Sequence, residues 1–154
     1  MKIFYTLLLI AVTLSVRSQV TDKTIKGFIE SYKSTGFKLY KTVKPKEHSY
    51  QLPYRLGCLS GKEVLLVGFF ESEPVELDGR FIIYHISKKN GVIKRRPDVF
   101  DFQKASYNEN LKTHYALLQL QIPKEANQKN CDANVVLYDK KNKKKSAHLL
   151  IFTK

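Results

Sequence analysis

Two short segments of the sequence concentrate basic side chains and are the parts best suited to bind a ligand. Each segment carries five positive charges and no acidic residue. The basic residues are Lys88, Lys89, Lys94, Arg95 and Arg96 in the first segment, and Lys140, Lys141, Lys143, Lys144 and Lys145 in the second. Such clusters bind sulfates, phosphates or anionic headgroups, with an affinity that salt weakens. We therefore predict an anion-binding surface, the alternative being that these residues keep the chain soluble and protect edge strands.

Residues suited to catalysis or metal binding do not form a recognisable pattern. The four histidines, His48, His85, His114 and His148, lie far apart and lack the short His or Cys spacings of metal sites. Neither a glycine-rich phosphate loop nor a hydrolase elbow is present. We therefore expect no catalytic residue, no metal site and no cofactor, and a hydrolytic enzyme is the least favoured function.

Residues 1–18 have the composition of a secretory signal peptide. A positively charged start precedes an uncharged apolar run from Ile3 to Val16, and small or β-branched residues stand just before Gln19. The run is shorter than the 20 or so residues that span a bilayer. We expect cleavage before Gln19 and an extracellular mature protein that consists of one mainly β domain, residues 19–154.

The charge of the mature chain also favours an anionic partner. The full chain has a net charge of +13, and removal of Lys2 and Arg17 leaves 25 basic against 14 acidic residues, a net charge of +11. A positive excess of this size attracts sulfated glycans, anionic lipids and acidic proteins. The sequence contains no motif specific for nucleic acid and no transmembrane segment.

Two cysteines, Cys58 and Cys131, remain in the expected mature chain. An even number of cysteines in an exported protein indicates a disulfide. We therefore predict a Cys58–Cys131 bridge, the alternative being two free thiols.

The apolar pattern predicts one helix followed by strands. Residues 20–34 place Ile25, Phe28, Ile29 and Tyr32 on one helical face, with Gly36 closing the end. Seven or eight strands follow at intervals of about ten residues. This pattern indicates an antiparallel β-sandwich or barrel-like sheet with one N-terminal helix, the alternative being an α+β fold with the helix packed on a curved antiparallel sheet.

Individual strands follow from local signals. The apolar run from Val64 to Phe70 predicts a strand buried on both faces, and Asn90-Gly91 predicts a hairpin whose return strand stops before Pro97. Residues 106–112 are expected to form a loop. Residues 134–138 and 148–152 are expected to form a final hairpin, with the second basic segment at its tip.

Together these features favour a secreted, non-enzymatic binding protein whose basic hairpin tips contact an anionic partner. The alternative is a carbohydrate- or lipid-binding β-sandwich module that uses a concave face.

Overall fold

The computed structural model describes residues 21–43, 54–57, 59–124, 131–141 and 148–154, with the backbone alone for 54–57, 131 and 132. In these residues one helix, α1 (Asp22–Lys33), precedes nine strands. The strands are β1 (Lys38–Val43), β2 (Tyr54–Gly57), β3 (Glu63–Phe70), β4 (Leu77–Lys89), β5 (Val92–Asp101), β6 (Ser106–Asn108), β7 (Thr113–Gln121), β8 (Cys131–Asp139) and β9 (His148–Thr153). No helix within the described ranges is long and apolar enough to cross a membrane.

The strands form two antiparallel sheets that pack face to face. The five-stranded sheet has the order β1-β9-β3-β7-β6, and the four-stranded sheet has the order β2-β8-β4-β5. Each sheet contributes buried side chains to one shared core, which includes Leu66 and Ile151 from the first sheet and Phe81 and Leu137 from the second. The predicted β-sandwich with one N-terminal helix is therefore confirmed.

Helix α1 covers the outer face of the five-stranded sheet and makes a second core there. Phe28 is buried against Phe69 of β3, with an edge-on ring contact and ring centroids 4.5 Å apart. The side chain of Thr21 accepts a hydrogen bond from the Thr24 amide and caps the helix. Gly36 has a φ of +90° and follows the helix in the left-handed conformation that glycine favours. The predicted helix and its ending are thus both confirmed.

Strand β3 has a continuous apolar sequence because each of its faces is covered. Val64 and Leu66 belong to the core between the sheets. Leu65, Val67 and Phe69 belong to the core under α1. Successive side chains of a strand point to opposite faces, so a strand between two packed layers needs apolar residues at every position.

The two sheets pack closely together at Gly68. A Cβ atom added there would overlap the Cδ2 methyl of Leu137 in the opposite sheet. A glycine in the middle of a strand usually weakens it, but here it makes room for a fully buried leucine.

Two expectations for the middle of the chain were wrong. The return strand does not stop before Pro97, because β5 continues to Asp101 and pairs Pro97 with Tyr84. Strand β5 is at the edge of its sheet, where a residue without an N–H group is tolerated. Residues 106–112 are not entirely loop, since residues 106–108 form β6 and pair with β7.

The expected final hairpin was also wrong. Strand β8 pairs with β2 and β4 in one sheet, whereas β9 pairs with β1 and β3 in the other. The two strands therefore do not pair with each other. The second basic segment comes between two strands of different sheets in the sequence, not between the two strands of a hairpin. Both strands are apolar and follow each other in the sequence, and this pattern is what predicted that they pair.

Candidate anion-binding site

The first basic segment lies on the β4–β5 hairpin. Asn90 and Gly91 have φ values of +51° and +77°. Two consecutive residues in the left-handed region are typical of a type I′ turn, whose twist matches that of the flanking strands. The strands pair without a break from Lys89–Val92 at the turn to Arg80–Asp101 at the far end. The hairpin predicted from the Asn-Gly pair is therefore confirmed.

The end of this hairpin extends past the described part of β8, its neighbour in the sheet. The described pairing of β4 with β8 ends at His85 and Cys131, and from there to the turn β5 is the partner of β4 among the described residues. We call residues 85–96 the hairpin arm. At a rise of about 3.3 Å per residue, the four steps from His85 to Lys89 make the arm roughly 13 Å long. All five basic residues of the first segment lie in it.

The positive charges of the arm are exposed and uncompensated. Lys88, Lys89, Lys94, Arg95 and Arg96 are all exposed. Among the residues that the structure describes, none of the five forms an ion pair, and the arm itself contains no acidic residue. The nearest carboxylate along β5 is that of Asp98, whose Oδ2 atom lies 2.7 Å from Nε2 of His85. The arm therefore presents five cations with no internal counter-charge.

The register distributes the five cations between the two faces of the arm. Residues paired across an antiparallel ladder share a face, and the face alternates along each strand. Lys89, Lys94 and Arg96 therefore lie on the face of His85, which continues the core side of the sheet. Lys88 and Arg95 lie on the outer face, beside Ile86 and Ile93.

The described start of the second basic segment, Lys140 and Lys141, lies at the opposite end of the four-stranded sheet. Lys140 follows β8, whose last residue, Asp139, pairs with Leu77 at the start of β4. Strand β4 is 13 residues long, so Lys140 is about 40 Å from the turn of the arm. Its amino group also lies 3.5 Å from a carboxylate oxygen of Glu76. Lys140 and Lys141 thus do not join the arm, and Lys143, Lys144 and Lys145 lie outside the described residues.

No known protein family, curated protein or solved structure matches this chain. The function therefore has to rest on the geometry and charge of the residues themselves.

Asp139 is a buried carboxylate that sequence patterns did not single out. Its side chain is almost completely buried and accepts hydrogen bonds from the amides of Val75 (3.0 Å), Glu76 (3.1 Å) and Lys141 (3.1 Å). It fastens the loop before β4 to the end of β8. In the sequence, Asp139 is one acidic residue beside a run of lysines. An exposed acidic residue that pairs with those lysines would give the same pattern, so the sequence does not reveal that Asp139 is buried.

A cavity of about 390 Å³ lies beside Lys140, and its lining carries charges of both signs. Arg80 donates to both carboxylate oxygens of Asp78, at 2.7 and 3.0 Å. A hydrogen bond to the same carboxylate raises the pKa of the Tyr138 phenol. Asp101 and Lys104 also line the cavity. The balance of charges here differs from the purely cationic arm and gives no preference for an anion.

The described histidines do not converge. His114 pairs with Phe70 and His148 with Phe69, on opposite sides of β3, and consecutive positions on a strand face opposite ways. His85 lies in the other sheet, and His48 is outside the described residues. Within the described ranges no group of three His, Cys, Asp or Glu side chains is placed to hold a metal ion.

The β2–β8 ladder ends next to the two cysteines of the predicted bridge in the sequence. Cys58 is outside the described residues, and only the backbone of Cys131 is described. The final described pair of this ladder joins Gly57 to Asp132. These residues are the immediate sequence neighbours of the two cysteines, so the backbone brings the flanks of the predicted bridge together.

Proposed function

We propose that this protein is a secreted, non-enzymatic binding protein that contacts an anionic partner through the hairpin arm. One observation carries the proposal: five exposed cations at the end of one hairpin have no acidic residue among them. A surface that serves only to keep a chain soluble has no need for a single-sign cluster on one hairpin. Export rests on the signal-peptide pattern of residues 1–18.

The pairing of the arm reduces the repulsion among its charges. Every cation is opposite a residue that is not Lys or Arg: Lys88 pairs with Ile93, Lys89 with Val92, Lys94 with Ser87, Arg95 with Ile86 and Arg96 with His85. Like charges directly opposite each other destabilise a ladder. The arrangement therefore holds a dense positive cluster on a regular hairpin without placing two cations in direct opposition.

The size of the arm suits an extended polyanion or an anionic surface. Its length of roughly 13 Å is comparable with the screening length of about 8 Å at physiological ionic strength, so neighbouring charges act together on one partner. Two of the five groups are guanidinium ions, which bind sulfate and phosphate oxygens in a bidentate manner. Lys140 of the other basic segment, about 40 Å from the turn of the arm, would require a separate contact.

Heparin affinity tests this proposal. The variant has all five arm cations replaced by glutamine: Lys88→Gln, Lys89→Gln, Lys94→Gln, Arg95→Gln and Arg96→Gln. The control removes the same charge from five exposed lysines elsewhere: Lys23→Gln, Lys26→Gln, Lys38→Gln, Lys62→Gln and Lys104→Gln. Each phosphate-like contact contributes about 0.7 to the magnitude of the negative slope of log affinity against log salt, so loss of five contacts reduces that magnitude by roughly 3.5.

The comparison between these two variants decides the outcome, since both have the same net charge. We expect the arm variant to elute from heparin at much lower salt than the control variant. Equal elution of the two would show that net charge alone causes retention and would contradict a site on the arm.

A further inference from the structure

We infer that the anionic partner is a membrane surface, and that the tip of the arm enters the headgroup region of an anionic bilayer. This inference rests on the proposed function and names the partner of the same site. It is based on the apolar residues of the arm, because binding by electrostatic attraction alone would not require them.

The tip of the arm is apolar on the side that follows the turn. Val92 and Ile93 come directly after Gly91, and they are 58% and 63% exposed. Val92 and Ile93 lie on opposite faces of the arm, so they lose contact with water together only if a partner surrounds the end of the hairpin. They are the first apolar residues behind the Asn90-Gly91 turn on this strand, and they enter any surface that the arm approaches end-on.

The five cations of the arm lie next to this apolar tip, and we call them the collar. Lys88 and Lys89 pair directly with Ile93 and Val92, while Lys94, Arg95 and Arg96 follow within three residues. Lysine and arginine can bury their aliphatic stems and keep the charged group at the level of lipid phosphates. Interfacial segments enter about 5–10 Å into the headgroup boundary, which is less than the length of the arm. The tip can therefore insert while the collar contacts anionic headgroups.

The apolar surface continues from the tip along the outer face of the four-stranded sheet. Ile86, Tyr84 and Ile82 occupy successive outward positions on β4, and Val99, which pairs with Ile82, is 51% exposed. Outer faces of sandwiches usually alternate to polar residues. The five-stranded sheet also has an apolar outer face, but α1 packs on it. Among the described elements, the helix α1 covers the outer face of the five-stranded sheet and does not cover this strip.

Charge complementarity favours a lipid surface over other apolar partners. The strip and the tip are bordered by Lys88 and Arg95, and the expected mature chain has a net charge of +11. Each basic residue near an anionic leaflet adds to the attraction between the protein and the membrane. A second copy of this chain would bring an equal positive charge to the same place, so self-association through the arm is disfavoured.

Sedimentation with lipid vesicles tests the role of the tip. The variant Val92→Thr/Ile93→Thr removes the apolar surface, keeps β-branched residues that suit a strand, and leaves all five cations in place. The control Tyr40→Thr/Val75→Thr removes two other exposed apolar side chains, which are 52% and 67% exposed. On vesicles of phosphatidylcholine with phosphatidylserine we expect about 10- to 30-fold weaker binding of the tip variant, from the burial of two aliphatic side chains. The control should bind like the unmodified protein.

Heparin chromatography of the same proteins distinguishes the membrane inference from the proposed function on which it rests. If the tip variant loses vesicle binding but elutes from heparin like the unmodified protein, the membrane inference is supported. If the unmodified protein binds heparin but not anionic vesicles, or if the tip variant binds vesicles normally, the membrane inference is overturned and the proposed function survives. If the unmodified protein binds neither, both are overturned.

A fluorescent reporter tests insertion directly, because the chain contains no tryptophan. Ile93→Trp places one tryptophan at the tip, and Val75→Trp places one on the loop before β4 as a control. We expect the emission of the tip reporter to shift to shorter wavelength with anionic vesicles but not with heparin, and the control to stay unchanged. A tip reporter that sediments with vesicles without a shift would overturn insertion. A dimer that the tip variant abolishes would instead assign these residues to self-association.

Discussion

Loss of the predicted Cys58–Cys131 bridge should destabilise the protein strongly. The described ladder between β2 and β8 keeps one register from Tyr54–Val135 to Gly57–Asp132. The last described pair, Gly57–Asp132, joins the sequence neighbours of the two cysteines. Paired residues in an antiparallel ladder have Cα atoms about 4.5–5.5 Å apart, which lies within the range that a disulfide bridges. Cys58→Ser/Cys131→Ser is therefore expected to remove a covalent link between two adjacent strands.

The size of the effect follows from the length of the closed loop. A bridge between residues 58 and 131 encloses about 70 residues, for which the chain-entropy relation gives a stabilisation of roughly 4 kcal/mol. In a domain of this size, each kcal/mol shifts the melting temperature by about 3–5 °C, so we expect the double variant to melt roughly 10–20 °C lower. A reductant should lower the melting temperature of the unmodified protein by a similar amount and leave the variant unchanged.

Mass spectrometry of the natively folded protein checks the bridge itself. Non-reducing peptide mapping of protein secreted from cells should yield one linked pair of peptides that contain Cys58 and Cys131. Two thiols that react with an alkylating reagent in the folded, secreted protein would refute the pairing. A melting temperature that does not respond to reductant would refute the stabilisation, even if the peptides were linked.

Two further substitutions test the packing that supports the site. Gly68→Ala should destabilise the fold by about 1–3 kcal/mol because the added methyl overlaps Leu137; urea denaturation should show that Leu137→Ala relieves part of this loss when the two changes are combined. Asp139→Asn should lower the free energy of unfolding by roughly 1.5–3 kcal/mol, because an amide group replaces a carboxylate that accepts from the Val75 and Glu76 amides. Heparin elution of the folded Asp139→Asn protein should be unchanged, and a large change would contradict a purely structural role.

Local features of the sequence were sufficient for elements whose cause is local. Thr21 caps α1, Gly36 follows it in a left-handed turn, and Asn90-Gly91 makes the hairpin turn. Each depends on the conformational preference of one or two residues. The double burial of β3 also follows from its own sequence, because a run without polar residues requires cover on both faces.

Which strands pair with each other depends on the whole chain and could not be predicted from short segments of the sequence. Pro97 would interrupt a central strand, but β5 is at an edge, and edge position is decided by the order of all the strands. The separation of β8 and β9 into different sheets has the same origin. Both are apolar strands, and nothing in either segment specifies which sheet it joins.

The same distinction applies to the candidate site. The two basic segments are evident from composition, but the separation of Lys140 from the arm by about 40 Å follows from the pairing of Asp139 with Leu77. Composition therefore identified which residues are cationic, whereas the topology determines which of them can act on one partner.

The two-residue turn also determines how the cations of the arm relate to one another. With the Asn90-Gly91 turn, Lys88 pairs with Ile93 and Lys89 with Val92. A loop one residue longer would shift the register by one position and place Lys88 directly opposite Lys94, a pairing of like charges that destabilises a ladder. It would also exchange the faces of the residues on one strand and separate Ile93 from the apolar strip that begins at Ile86. The conformational preference of Asn and Gly for positive φ values thus does more than close the hairpin. It keeps the cations out of direct opposition and holds Ile93 on the same face as the apolar strip.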